Sequence, residues 1–188
     1  MNDPAQTRIV LGLQPGDAGE DCIHVASRLA MAMQAAIHAL LVEEQTVLDA
    51  AALPLTRIVA RPGQTPPEFT VATIERATIR AERRFRQALS AEAQPMRIPW
   101  SVQRERGELA QALSAFAGAA DIVMLPEARG RNLNRLLMAR VMASRVRGVV
   151  IARRENAVVR NGTGPVVVLD EGGHGGASAV ALAAKLAA

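Results

Sequence analysis

Apolar residues along this chain keep two rhythms. Short apolar runs, Ile9 to Leu13, Ala36 to Val42 (with His38 inside it), Ile122 to Leu125 and Gly148 to Ala152, read as strands, and the continuous first of them suits a parallel strand covered on both faces. Between them apolar residues recur at helical spacing: Ile23, Ala26, Ala30 and Met33; then Leu109, Leu113 and Phe116 after Gly107; then Leu133, Leu136, Leu137 and Val141. Asp17, following the Gln14-Pro15-Gly16 break, is placed to cap the first helix. Thr65-Pro66-Pro67-Glu68 has the form of a capping box and predicts a long helix from there to about Ala93, with Ile74, Ala77, Ala81, Phe85 and Ala88 buried. Its solvent side gathers Arg76, Arg80, Arg83 and Arg84, with Glu75 and Glu82 to neutralise them. Glu43 to Gln64 shows no period and reads as a connection.

Ile98 to Val102 is a further strand. Its Pro99 cannot donate to a central ladder, so the strand belongs at an edge. Strands alternating with helices imply right-handed crossovers and a doubly wound parallel sheet of five strands with helices on both faces. Arg153 to Thr163 is polar and ends in Asn-Gly-Thr-Gly, a linker by composition. Beyond it, Pro165 to Asp170 mirrors Ile9 to Gln14, and Leu182 to Ala187 mirrors Val25 to Ala30. The expected organisation is an α/β domain over 1–155, a linker over 156–164, and an extra strand-helix unit over 165–188 that begins a second repeat.

The run from Ala120-Asp121 through Ile122 to Leu125 and on to Val141 resembles the universal stress protein family, whose pattern there is A-D, a hydrophobic run, then G-x-x-G-(x)9-G-[ST]-V. The apolar positions match. Laid on without gaps, the glycines and the Ser/Thr of the pattern fall on Pro126, Arg129, Ala139 and Arg140. The resemblance implies strand order 3-2-1-4-5, with Pro99 at an edge as its chemistry demands. It also implies a homodimer through the Gly148 to Ala152 edge, and a nucleotide crevice between the first and fourth strands. In the family an acid ending the first strand holds the adenosine; here Gln14 stands in its place, while the second copy carries Asp170. The candidate crevice residues are therefore Gln14, Asp17, Val42, Pro126, Arg129, Gly130, Arg131, Ala139 and Arg140. With the glycines replaced, the expectation is no cofactor, ATP or AMP being the alternative, and a regulatory or scaffolding bacterial protein with no catalysis of its own.

Composition narrows the classes further. Of 188 residues 49% are hydrophobic, enough for a sizeable core, yet no run is long and clean enough to span a membrane and nothing near Met1 resembles a signal peptide, so the cytoplasm is expected. Cys22 is the single cysteine, and His24, His38 and His174 share no metal-ligand spacing. Cys22 sits where a helix dipole could activate it but reads more simply as a small buried hydrophobe. Gly172 to Gly176 reads as a loop, since it lacks a complete G-x-G-x-x-G. The net charge of +4 is carried almost wholly by arginine and attracts anions in general; 2% aromatics leave no stacking platform, which disfavours nucleic acid. A P-loop needs Gly-Lys-Ser/Thr after a strand, and the only lysine, Lys185, lies in the last expected helix, which excludes one; nor is there a G-x-S-x-G elbow. The partner is expected to be another protein, of unknown identity.

Overall fold

The computed structural model describes residues 7–17, 19–54, 56, 68–126, 140–141, 146–152, 180–181 and 183–184. Five parallel strands, β1 (Arg8–Leu13), β2 (Ala36–Glu44), β3 (Trp100–Gly107), β4 (Ile122–Pro126) and β5 (Gly148–Ala152), form one sheet in the order β3-β2-β1-β4-β5. This is the α/β order expected above.

Side chains of alternate parity feed two cores. Ile9, Leu11, Leu13, Ile37, Leu41, Ile122 and Met124 pack under helices α1 (Glu20–Met33) and α3 (Val71–Ala93). Val10, Leu40, Val42, Val123 and Leu125 pack under α4 (Leu109–Phe116), with Val141 from beyond β4. Because both faces are covered, the central strands are apolar at most positions, with Arg8 of β1 and His38, Glu43 and Glu44 of β2 as the charged or polar exceptions, which is why they read as apolar runs. Cys22 is part of the first core.

Several boundaries differ from the sequence reading. The supposed connection after β2 begins with a helix, α2 (Gln45–Ala52), anchored by buried Leu48 and by an amide from Gln45 to Asp49 one turn on. Helix α3 starts at Val71, not at the Thr65 box. Its N-cap is Thr70, whose hydroxyl accepts from the Thr73 N–H while the Thr73 hydroxyl accepts from the Thr70 N–H. Thr65, Pro66 and Pro67 lie outside the described residues, and Glu68 precedes the helix. The buried stripe of α3 is Thr78, Ala81, Phe85, Leu89 and Ala93, leaving Ile74, Ala77 and Ala88 only half-buried. Gly107 does not open α4 but ends β3, at φ 143°, which glycine adopts freely. Among the described residues β3 lies at the edge expected for it, but it begins at Trp100 and not at Ile98: Pro99 lies just before it, its carbonyl accepting from Ile37, so the missing proline donor is not part of the ladder.

The polar linker and the loop Gly172 to Gly176 lie outside the described residues, as does most of the repeat unit; within that unit Val180, Ala181, Ala183 and Ala184 are helical. Among the described residues no helix is long and apolar enough to cross a membrane.

Candidate functional site

In an open parallel sheet a ligand sits beyond the carboxyl ends of the strands, at the point where strand order reverses, here between β1 and β4. Gln14 leaves β1 at that point. Its backbone N–H donates to Asp17 Oδ2 at 2.7 Å, and the Asp17 N–H returns to the Gln14 carbonyl at 3.0 Å. Asp17 thus closes its own turn and does not cap α1. The N-cap of α1 is Gly19, which contributes no side chain. Burial pushes the Asp17 carboxyl above its ordinary range, against the Gln14 N–H and the nearby Arg84.

The side chain of Gln14 is committed as well. Its amide donates at 2.8 Å to Glu44 Oε1, at the end of β2. The same oxygen accepts the first backbone N–H of α4, that of Leu109, at 3.3 Å. Glu108, the N-cap residue of α4, meanwhile pairs with Arg140 from beyond β4. A helix N-terminus is a ready anion site because its N–H groups have no intrahelical partner. Here the Glu44 carboxylate takes one of those N–H groups, Glu108 is the N-cap residue, and Arg140 is matched to Glu108.

The remaining candidates divide. Pro126 ends β4 in register with Ala152 and has no N–H to offer. Val42 has no exposed surface, so its side chain fills the core under α4 and cannot line a ligand. Arg129, Gly130, Arg131 and Ala139 lie outside the described residues. Glu44 and Glu108 were missed in the sequence, although each has a signal: an acid at the last position of a strand, and an acid just before the first helical residue.

Among solved structures, the chain is similar to the crystal structure of a protein from the universal stress protein family from Burkholderia pseudomallei. The TM-score is 0.49 and the identity 14%, over 79% of this chain and 98% of that one. No family model and no curated protein matches the chain.

Two other polar groupings are structural. Glu43, buried near the end of β2, accepts from Arg106 of β3 at 3.0 Å, and Arg106 also donates to Glu75 of α3 at 2.8 Å, which ties the edge strand to the helix above it. At the opposite end of the sheet a hollow of about 640 Å³ is lined by Arg8, Ala36, His38, Asp121 and the turn before Asp121. Its carboxylate is held by Arg8, and His38 Nδ1 lies 2.7 Å from Ser101 Oγ on the neighbouring strand. Burial, helped by the Arg8 charge, lowers the His38 pKa. No group of three metal-ligating side chains converges among the described residues.

Proposed function

We propose that this is a non-catalytic regulatory or scaffolding protein of the universal stress type, acting in the cytoplasm through contact with other proteins and holding no adenine nucleotide. The observation that supports the reading is how the chain's own acids engage the polar groups beside the carboxyl ends of β1 and β2. Glu44 takes the Leu109 N–H and the Gln14 amide, while Glu108 takes Arg140. An anion approaching the N-terminus of α4 would meet two carboxylates, and a nucleotide between β1 and β4 would meet Pro126 at the family's first glycine position.

Calorimetry with ATP, AMP and pyrophosphate at low and high salt tests this. The expected result is no nucleotide-selective binding, with any residual anion binding abolished by salt. Glu108→Gln should release Arg140 and raise that weak, unselective binding. Micromolar, ATP-selective binding that survives high salt would overturn the reading in favour of a nucleotide sensor.

The reading includes a homodimer through β5. Among the described residues β5 lies at the edge of the sheet, with Val149, Val150 and Ile151 half-buried, and an apolar edge tends to pair with another chain. Light scattering after gel filtration should give twice the chain mass, and Val150→Lys should shift it to monomer. A wild-type monomer at micromolar concentration excludes the dimer.

A further inference from the structure

Arg76, Arg80 and Arg83 of α3 are exposed. At about 100° per residue they share one narrow stripe, directly opposite the buried stripe of Thr78, Ala81, Phe85 and Leu89, and they span about 10 Å of helix axis. From the sequence, Glu75 and Glu82 are their obvious counter-charges. The structure gives both carboxylates to other arginines: Glu75 accepts from Arg106 at 2.8 Å and Glu82 from Arg86 at 2.9 Å.

Elsewhere in the fold Arg8 is matched with Asp121 and Arg140 with Glu108. Arg80 and Arg83, by contrast, make no hydrogen bond or ion pair among the described residues, and Arg76 reaches only the carbonyl of Ala72 in its own helix. Like charges at this spacing cost a helix about 0.2–0.5 kcal/mol per pair, and nothing in the described fold offsets that cost. Beside them Ile79, three residues after Arg76 and four before Arg83, is 41% exposed.

We infer that this stripe is a docking surface for an acidic helical segment of a partner protein. Carboxylates at i, i+4 and i+7 of that segment meet Arg76, Arg80 and Arg83, and an apolar residue alongside them covers Ile79. The inference deepens the scaffolding reading and rests on it. A guanidinium fork takes a carboxylate in two parallel hydrogen bonds, and helical spacing on both sides keeps the two rows in step. A nucleic-acid backbone fits less well. It gains nothing from Ile79, and it finds no aromatic ring on the stripe to stack on.

The test is fluorescence anisotropy of the full chain with a labelled helical peptide of about 20 residues, bearing Glu at i, i+4 and i+7 and Leu beside them, and with a DNA duplex of similar length. Saturable peptide binding that weakens with salt is expected. It should fall about fivefold in R80Q/R83Q and about threefold in Ile79→Ala. Arg104→Gln, on the edge strand β3 and not on α3, should leave binding unchanged, and all the substituted sites are exposed, so folding is not at stake. Absence of peptide binding at low salt, or equal binding by R80Q/R83Q, overturns the inference while leaving the nucleotide result untouched. Tighter binding of the duplex than of the peptide overturns it in favour of a nucleic-acid surface.

Discussion

Replacing Phe85 with alanine is expected to cost the fold about 3–5 kcal/mol, the range for removing a large aromatic side chain from a close-packed core. Phe85 has no exposed surface and lies where α3 meets the start of α1. A Cβ built on Gly19, the N-cap of α1, would lie 2.8 Å from Phe85 Cε1 and 3.1 Å from Leu13 Cδ2. The backbone at Gly19, φ −71°, is open to any residue, so glycine is needed there for room and not for conformation. Arg84 adds to the junction: its guanidinium lies 4.9 Å from the Phe85 ring centroid and donates at 2.8 Å to the Asp17 carbonyl, tying α3 to the turn after β1.

A coupling between the two positions follows. Gly19→Ala should cost about 1–3 kcal/mol in the wild type by overpacking and distinctly less in a Phe85→Leu background, where the ring edge is gone. Urea melts of the four proteins at constant slope measure it. An equal cost in both backgrounds would show that the ring does not select glycine at position 19.

The architecture was legible because burial on both faces leaves a simple mark. Ile9 to Leu13 and Ile122 to Leu125 are apolar without interruption. The edge position of β3 was reached through Pro99, although the proline itself lies outside the strand. What was not legible has physical reasons. Helix α2 has one buried residue in eight, Leu48, too few to show a period. Strand β3 runs on through Gln103, Arg104, Glu105 and Arg106, all exposed, so half of it carries no hydrophobic signal. The cap of α3 uses Thr73 where a glutamate is the commoner partner, and the Thr65 to Glu68 pattern drew the start forward.

The polar pairs beside the end of β1 were not legible in the sequence. Gln14 and Arg140 each find an acid, Glu44 and Glu108, that lies about thirty residues away along the chain. Such pairings depend on which strand ends the topology brings together, and only the folded sheet reveals them.

Asp121→Asn is expected to destabilise the protein by about 3 kcal/mol at neutral pH, with a loss that shrinks in acid. Asp121, just before β4, has a side chain only 3% exposed. Arg8 Nε donates to Oδ1 at 3.0 Å, Arg8 Nη2 to Oδ2 at 2.5 Å, and the Gly118 N–H to Oδ2 at 2.8 Å. Its carbonyl accepts from the Arg147 N–H at 2.9 Å, so one residue joins the start of β1, the turn after α4 and the entry to β5. An asparagine amide would set N–H donors against the Arg8 N–H donors and leave the guanidinium without its counter-charge. Arg8 is one-third exposed, and water reaching it keeps the loss at the low end for a broken buried pair. Burial alone would raise the Asp121 pKa, but Arg8 and the Gly118 N–H outweigh it and hold the carboxyl below its ordinary range. A depressed folded-state pKa means that the ionised carboxylate stabilises the fold fully above the unfolded value of about 4, and that this contribution is lost as pH falls through the lower folded value. The wild type should therefore lose stability in acid more steeply than Asp121→Asn, and the gap between them should narrow from about pH 4 downward. Urea melts of both proteins from neutral pH into that window measure it; a gap that stays constant would assign the loss to packing and hydrogen-bond geometry and remove the charge from the account.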